Sequence, residues 1–167
     1  VCPPDEAVQA RLAMFTGEYL KAAGYEQYEI SNFCQSGFAC RHNLRYWQGE
    51  SYLGLGPSSQ SFVSGVRFGN VADLDSYCLE LIQKELPIDH LEALKTQEIR
   101  REQIVFGLRT IRGVLRDQVG YLLERDGGWA RAFSGLKVQG LLVEEEGYVR
   151  LTKKGIQFAD TVAVAMI

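Results

Sequence analysis

The stretch LLVEEEGYVRL, residues 141–151, has the pattern of a β-hairpin. Apolar and β-branched residues stand on both sides of Glu145-Glu146-Gly147, and glycine is favoured where a tight turn needs a positive φ. Thr152 follows directly, and a threonine side chain suits the N-cap of a helix. We therefore predict strands over 141–144 and 148–151, and a closing helix from Thr152 through Val164.

Helical patterns precede this hairpin. They cover Glu98–Thr110 (with Thr96 before it), Leu115–Glu124 and Gly128–Val138, and Gly140 stops the third. The second half of the chain is therefore expected to contain three helices, a two-stranded wing and a closing helix. This order predicts a winged-helix-like domain over residues 93–167, after a linker near 90–94.

The first half mixes helix and strand. A helix over Asp5–Ala23 leads through Gly24 into a strand over Tyr28–Phe33, a connection found in α/β units. Glycines punctuate a loop-rich stretch over 34–69 with a short strand near Val63–Phe68, and Asn70 or Asp73 then begins a helix that runs to about Glu85. The prediction is an α+β chain whose first unit spans residues 1–92. The first helix carries an apolar stripe of Val8, Leu12, Phe15, Tyr19 and Leu20, and the later helix should turn Leu74, Tyr77, Leu81 and Ile82 inward.

Composition and charge bound the class of protein. The 167 residues are 46% hydrophobic and 23% charged, which is ordinary for a globular protein. No apolar run approaches the roughly 20 residues of a membrane span and no secretory signal opens the chain, so we expect a cytoplasmic protein without a membrane span. The chain opens on Val1 rather than Met, which indicates a fragment of a longer protein. Residues 1–94 carry a net charge of −6 and residues 95–167 one of +3, which favours two units with different surfaces.

The four cysteines, at positions 2, 34, 40 and 78, are expected to be free thiols. Cys34, Cys40 and His42 lie close in sequence. A structural zinc site usually takes two pairs of ligands, each pair two to four residues apart. The sequence lacks the second pair, which disfavours metal binding by these thiols.

The segment RHNLRYW, residues 41–47, contains several side chains that could bind a ligand. A neutral imidazole such as His42 ligates iron through one ring nitrogen while a partner, for which Asn43 is a candidate, holds the other. Tyr46 and Trp47 would offer flat surface to a macrocycle, and Arg41 or Arg45 would pair with propionates, so these are the parts of a porphyrin site. In the alternative, the two aromatic residues belong to the core and His42 is a satisfied polar residue.

The segment YLGLGPSSQS, residues 52–61, is a second candidate site. Glycines let the backbone approach a ligand closely, and serines with free N–H groups suit carboxylate or phosphate. The segment has neither the third glycine of a dinucleotide fingerprint nor the lysine of a P-loop. The alternative is a tight turn between two packed segments.

The predicted winged helix does not have the charges of a DNA-binding domain. Its wing tip is Glu144-Glu145-Glu146, which would repel phosphates, and its third helix offers only Arg131 and Lys137. We therefore expect no nucleic-acid partner and favour a packing or protein-docking role. The remaining basic residues of this region lie on the first two helices and are Arg100, Arg101, Arg109, Arg112 and Arg116.

Four segments in order, AAGYEQYEISNFC, CRHNLRYW, YLGLGPSSQSF and LVEEEGYVRLTKKG, resemble the C-terminal portion of the oxygen-independent coproporphyrinogen III oxidase-like radical SAM proteins. The HemW-type haem chaperones are the more similar subgroup. The resemblance covers nearly the whole chain. It implies the last helix and strand of a partial (β/α) barrel, followed by a winged-helix cap.

The resemblance also implies cofactors and site residues. Family members hold a [4Fe–4S] cluster that cleaves S-adenosylmethionine in an N-terminal Cys-x3-Cys-x2-Cys loop; this chain has no such triplet, so cluster chemistry would belong to the parent. His42, Asn43, Tyr46 and Trp47 match the subgroup's haem-associated motif, with His42 as the implied iron ligand. The family's glycine loop lies near the cofactor and ends Gly-Ala-His-Ser, where this chain has Ser58, Ser59, Gln60 and Ser61. The S-adenosylmethionine side would be formed by Gly54, Gly56, Ser58, Gln60 and Ser61.

Together these features predict the C-terminal region of a HemW-like radical SAM protein that binds and transfers haem in the intact parent. No catalytic residue is assigned to this fragment. Its partners would be the parent's N-terminal barrel and a protein that accepts haem. Two alternatives are oxidative decarboxylation of coproporphyrinogen III, and a winged-helix interaction module without a ligand.

Overall fold

Within residues 4–167, three small antiparallel sheets organise this α+β fold. The computed structural model describes residues 4–167, so Cys2 lies outside the described residues. Within them, Cys34, Cys40 and Cys78 are free thiols. No helix of the described residues is both long and apolar enough to cross a bilayer.

The first sheet is a hairpin that follows helix α1 (Glu6–Ala22). The Asp5 side chain caps the helix by accepting a hydrogen bond from the Val8 amide at 2.8 Å. Strands β1 (Tyr25–Glu29) and β2 (Asn32–Gln35) pair around a turn at residues 30–31. The single strand predicted over Tyr28–Phe33 is therefore wrong, because that segment reverses direction at its centre. The apolar stripe of α1 faces outward, with Leu12, Phe15 and Tyr19 all more than half exposed.

The segment predicted to be loop-rich contains a helix and two strands. RHNLRYW forms helix α2 (Arg41–Trp47), and strands β3 (Gln60–Val63) and β4 (Val66–Asn70) form a hairpin in place of the single strand expected near Val63–Phe68. The turn between them is Ser64-Gly65, with φ values of 51° and 82°. Positive φ at both central residues defines a type I′ turn, whose twist matches that of the paired strands.

The predicted linker near 90–94 is also wrong. Helix α3 (Leu74–Ile82) begins at Asp73, whose carboxylate accepts from the Ser76 amide at 2.9 Å. Strand β5 (Ile88–Ala93) then adds to β4, so the second sheet has the order β3-β4-β5. Three of the α3 residues expected to face inward are exposed instead: Leu74, Leu81 and Ile82.

The second half follows the predicted order of elements, with two additions. Its elements are α4 (Thr96–Gly107), β6 (Val114–Leu115), α5 (Arg116–Arg125), α6 (Gly127–Val138), β7 (Leu142–Glu145), β8 (Tyr148–Leu151), α7 (Lys153–Gln157) and α8 (Ala159–Met166). The hairpin β7–β8 is confirmed, and the short strand β6 joins it on the β8 side. Thr152 caps α7 as predicted, but the closing helix breaks at Phe158 and continues as α8.

The hydrophobic core lies in this second half. The buried hydrophobic side chains described all fall between Ile104 and Met166. Trp129 stacks on Phe133 at 5.7 Å and donates its indole N–H to the Met166 carbonyl at 3.0 Å, which ties α6 to α8. The first half therefore depends on contacts with the second half for much of its order.

Two helical glycines should respond to alanine with opposite signs. A Cβ on Gly155, in α7, would overlap the carbonyl oxygen of Leu141, whereas one on Gly135, in α6, would meet no atom within 4 Å. Alanine favours a helix over glycine by about 1 kcal/mol. We expect Gly135→Ala to raise the free energy of unfolding by up to about 1 kcal/mol, and Gly155→Ala to lower it by about 1–3 kcal/mol through overpacking. Urea denaturation checks both values, and stabilisation by both variants would contradict the packing around Leu141.

The carboxylate of Glu144, on strand β7, should make stability depend on pH. It accepts hydrogen bonds from Lys137 at 2.6 Å and Arg116 at 2.9 Å, and these partners, Lys137 first, lower the pKa of Glu144 below its ordinary value. A lowered folded-state pKa contributes stability above the unfolded value of about 4.3, and that contribution is lost as pH falls through the folded pKa. At pH 7, Glu144→Gln should therefore cost about 0.2–1 kcal/mol in the free energy of unfolding.

Denaturation of Glu144→Gln across the pH range from 7 down to about 3 checks this expectation, because the difference from wild type should shrink on the acid side. Glu145→Gln is the matched control, since Glu145 is exposed and makes no ion pair among the described residues. An equal, pH-independent loss in both variants would contradict the role of the ion pairs.

Candidate functional site

Helix α2 presents two different faces because helical geometry separates neighbouring residues. Arg41, His42 and Arg45 are exposed, whereas Asn43, Tyr46 and Trp47 are half-buried. The helix has no side-chain cap at Cys40, and the chain turns away at Gly49, where φ is 65°. The seven residues of the motif thus divide into a solvent face with the imidazole and both guanidiniums, and an inner face with the amide and the indole.

His42 stands on the solvent face beside Tyr46. The two rings meet edge to face, with centroids 5.0 Å apart. Arg45 pairs loosely with Glu50, at 3.5 Å, and both side chains are about half exposed. The predicted partner of the imidazole is engaged elsewhere, because the Asn43 amide donates to the Tyr28 hydroxyl at 3.2 Å. His42 is therefore accessible and flanked by one aromatic ring.

The inner face of α2 lines a cavity of about 240 Å³. The sheet β3–β4 and helix α4 form its other walls. Tyr46 packs on Tyr52 with ring centroids 4.3 Å apart, and burial raises the pKa of the Tyr52 hydroxyl above its ordinary value, with Tyr46 adding to the effect. The remaining aromatic walls are Trp47, Phe62 and Phe106.

An ion pair joins two walls of this cavity. Arg67 on β4 donates to Glu102 on α4 at 2.5 Å, and Glu92 lies 3.7 Å from the same guanidinium. The hydrogen bond to Glu102 raises the pKa of Arg67 above its ordinary value. The pair therefore connects the second sheet to the first helix of the C-terminal half.

Trp47 is held by the cationic side chain of Arg109, which the sequence analysis placed on the first two helices of the C-terminal half. The Arg109 guanidinium lies over the Trp47 ring at 4.4 Å, and it also approaches the fully buried Glu29 carboxylate at 3.6 Å. Glu29 accepts in addition from the Ser31 amide at 2.8 Å and the Asn32 side chain at 2.6 Å. A second cavity, of about 170 Å³, adjoins Trp47 and Arg109 on the side of α8.

Glu29, Arg67, Glu102 and Arg109 are the site residues that sequence reasoning missed. Glu29 carried little signal, because its strand β1, YEQYE, also contains Glu26 and Gln27. The other three carried none. Arg67 lies on a strand, Glu102 lies on α4 and Arg109 follows α4, and charged residues are common at the surfaces of such elements.

The glycine loop uses its polar groups internally. The Gly54 amide donates to the Ser61 hydroxyl at 3.0 Å, and the Gly56 amide donates to the Tyr77 hydroxyl at 3.2 Å. A Cβ on Gly54 would overlap the backbone of Gln60, so the glycine permits close packing. This is the geometry of a tight turn between packed segments. At its surface the loop exposes the side chains of Ser58, which has a φ of 59°, and Gln60.

The two candidate segments adjoin each other through Tyr52. Its ring packs on Tyr46 of α2, and its backbone pairs with Phe62 through hydrogen bonds of 2.8 and 2.9 Å, next to Gln60 and Ser61. No cluster of three or more histidine, cysteine or acidic side chains suited to a bare metal ion occurs among residues 4–167. A single imidazole suits haem iron, since the macrocycle supplies the equatorial ligands.

Comparison with known proteins gives relatives over nearly the whole chain. No protein-family model matches it. The chain is 32% identical over 155 residues to the protein named heme chaperone HemW of Bacillus subtilis, covering 92% of this chain and 41% of that protein. HemW of Mycobacterium tuberculosis is also 32% identical, over 98% of this chain and 40% of the relative. The mitochondrial radical S-adenosyl methionine domain-containing protein 1 of Bos taurus is 26% identical over 98% of the chain.

A solved structure supports the fold. The chain matches coproporphyrinogen III oxidase (HemN) from Escherichia coli, described as a radical SAM enzyme, with a TM-score of 0.76 over 98% of this chain and 42% of that one, at 14% identity. The chain spans about two fifths of the length of the curated relatives it matches. It therefore belongs to the HemW-like radical SAM proteins and corresponds to their C-terminal portion.

Proposed function

We propose that this chain is the haem-binding part of a HemW-like protein, with His42 as the ligand to iron. The exposed imidazole of His42 beside the Tyr46 ring is the observation that carries the proposal. Arg41 and Arg45 are exposed on the same face of α2, where their guanidiniums suit the propionate carboxylates of haem. Haem bound there would lie on the solvent side of α2, because the cavity behind the helix is smaller than an ordinary ligand pocket of about 300–1,000 Å³.

In this proposal the remaining motif residues position the helix. Asn43 is tied to Tyr28, and Trp47 is held by Arg109, so both keep α2 in its orientation. Tyr46 both contacts the imidazole edge to face and lines the cavity.

The other parts of the proposal concern the intact parent. The parent would supply the [4Fe–4S] cluster and S-adenosylmethionine, with Ser58 and Gln60 exposed on the side that faces this cofactor. Its N-terminal barrel would cover the exposed apolar stripe of α1, since large exposed apolar patches mark interaction surfaces. We further propose transfer of haem to an acceptor protein and a cytoplasmic location, to which the free thiols are suited.

Coproporphyrinogen III oxidation is the second candidate function. The fold likeness to the oxidase of Escherichia coli favours it. The two functions share the scaffold, and the His42-Asn43-x-x-Tyr46-Trp47 motif of α2 favours the chaperone. A module without any ligand is the third candidate.

We also propose that residues 93–167 form a winged-helix-like unit that does not bind nucleic acid. The order helix, strand, helix, helix and hairpin over 96–151 supports the first part. The five arginines between residues 100 and 116, on α4, in the segment after it and at the start of α5, have partners within the chain, which supports the second. Arg100 lies over Tyr121, Arg101 pairs with Asp126, Arg109 with Glu29, Arg112 with the Tyr148 hydroxyl, and Arg116 with Glu144.

Haemin titration should identify the iron ligand. We expect His42→Ala to weaken haemin binding about tenfold or more and to shift the Soret band, because the axial nitrogen is lost. His90→Ala is the matched control, since His90 is the only other histidine of the chain and lies on β5. The titration is followed by absorbance in the intact parent and in the 167-residue chain. An unchanged band and affinity in His42→Ala would remove this residue from the ligand set.

Duplex DNA should not bind in a salt-dependent way. Nearly all specific and non-specific DNA binding releases counterions, so its affinity falls steeply with salt. We expect the fluorescence anisotropy of a labelled duplex to stay unchanged when the chain is added at low salt. A steep dependence of the affinity on salt concentration would contradict the proposal.

A further inference from the structure

Helix α2 is attached along one face to two consecutive residues of strand β1. Asn43 and Trp47 are four residues apart, so they lie on the same face of the helix, one turn from each other. The Asn43 amide donates to the hydroxyl of Tyr28 at 3.2 Å. The Trp47 ring is attached to the next residue, Glu29, through Arg109, whose guanidinium carbon lies 4.4 Å from the ring centroid and whose Nη2 lies 3.6 Å from the carboxylate. Two attachments one turn apart fix the rotation of a helix, whereas a single one would allow it to pivot.

The Glu29 carboxylate is the fixed end of the second attachment. It is fully buried, and its Oε1 accepts hydrogen bonds from the Ser31 amide at 2.8 Å and the Asn32 side chain at 2.6 Å, which hold the group in one orientation. Its Oε2 faces the guanidinium of Arg109. A buried charge without its counter-charge is strongly unfavourable, so the carboxylate keeps Arg109 against the turn of the first hairpin.

Hydrogen bonds do not complete this junction. Within residues 4–167, four buried side-chain nitrogen or oxygen atoms have no hydrogen-bond partner, and three of them are Glu29 Oε2, Arg109 Nε and Trp47 Nε1. A buried polar atom without a partner costs free energy, and a buried ion pair is weak evidence for stability. Stability therefore explains this arrangement poorly, and its effect on the orientation of α2 is the better explanation.

The imidazole lies on another face of the same helix. His42 is exposed, and Tyr46, one turn further on, packs against Tyr52 of the cavity wall with ring centroids 4.3 Å apart. We infer that Glu29 and Arg109 are positioning residues for His42, and that iron ligation by His42 is coupled to the docking of the first hairpin onto the C-terminal half. The coupling rests on the haem binding proposed above, whereas the positioning of α2 does not.

A double variant tests the positioning of α2 without haem. Glu29→Leu combined with Arg109→Met replaces the buried ion pair by apolar side chains of similar size, a change that often leaves a fold as stable as before. Because Trp47 loses its guanidinium, we expect α2 to turn and the nuclear Overhauser contacts between the Tyr46 and Tyr52 rings to weaken at least about threefold. The contacts between Trp129 and Phe133, which stack in the core, should persist.

A single variant serves as a second test if the double variant unfolds, which thermal denaturation reveals. Arg109→Lys keeps a charge opposite Glu29, but it removes the planar group that lies over Trp47. We expect the same contacts between the two tyrosine rings to weaken. Arg125→Met is the matched control, since the guanidinium of Arg125 also lies over an aromatic ring, that of Tyr121 on α5, at 4.2 Å. This variant should leave the contacts of α2 unchanged.

Haemin titration tests the coupling. We expect the double variant to bind haemin about tenfold more weakly than wild type, with its Soret band shifted toward that of His42→Ala, and Arg125→Met to bind as wild type does. Coupling is reciprocal, so haemin should in turn stabilise the docked hairpin. The amides of Ile30 and Ile111 bond across the junction, and their hydrogen exchange should slow at least about threefold when haemin binds to the wild-type chain.

The outcomes separate the two parts of the inference. Unchanged contacts between Tyr46 and Tyr52 in the folded double variant, or in Arg109→Lys, would overturn the positioning role. Wild-type haemin affinity in the double variant, where His42→Ala weakens binding, would overturn the coupling. If His42→Ala leaves haemin binding unchanged while the ring contacts still weaken in the double variant, the haem proposal fails together with the coupling, and the positioning of α2 is supported.

Discussion

The fully buried carboxylate of Glu29 is the constraint on which the arrangement of the two halves depends. A buried charge is tolerated only when it is paired and hydrogen-bonded, and removal of one partner from such a pair typically destabilises a protein by about 3–5 kcal/mol. Glu29 Oε1 accepts hydrogen bonds from Ser31 and Asn32 of its own turn, whereas Oε2 has no hydrogen-bond donor among the described residues and faces the guanidinium of Arg109, just after α4, at 3.6 Å. The carboxylate can be buried only if the first hairpin docks against the C-terminal half.

Backbone hydrogen bonds also join the first hairpin to the segment that follows α4. The Ile30 amide donates to the Arg109 carbonyl at 3.0 Å, and the Ile111 amide donates to the Tyr28 carbonyl at 3.1 Å. The hydrophobic core described lies beyond residue 103, so the first half has little buried apolar area of its own. Polar contacts at this junction therefore determine where the first half sits, although apolar burial in the second half supplies most of the stability.

Arg109 extends the same constraint to the candidate site. Its guanidinium stacks on Trp47, the last residue of α2, and thereby sets the rotation of a helix only seven residues long. So short a helix has little stability of its own. Rotation of α2 by one residue, about 100°, would exchange the solvent face of His42 with the cavity face of Tyr46 and Trp47. The accessibility of the imidazole is thus a consequence of a contact made at the other end of the motif.

Local chemistry accounts for the parts of the fold that the sequence made predictable. Helix caps at Asp5, Asp73 and Thr152 form as their side-chain types indicate, and the glycine of Glu146-Gly147 sits at a positive φ of 80° in a two-residue turn. The missed hairpin at Ser64-Gly65 has the same turn geometry, and Gly65 gave the same signal as Gly147, but its strands, QSFV and VRFGN, are short and contain polar residues. Strand β5 was missed because its residues alternate weakly, and its neighbour β4 provides the hydrogen bonds that make it a strand.

The sequence predicted which residues form the candidate site, but it did not predict how they are arranged in space. The sequence indicates that His42, Tyr46 and Trp47 act together, whereas the structure distributes them over two faces of one helix. The reason is that the outer and inner faces are distinguished by residues distant in sequence: Tyr52 and Phe62 at the second sheet, Phe106 of α4, and Arg109 just after α4. Seven consecutive residues therefore form two different surfaces, and both include Tyr46, whose ring centroid lies 5.0 Å from that of His42 and 4.3 Å from that of Tyr52.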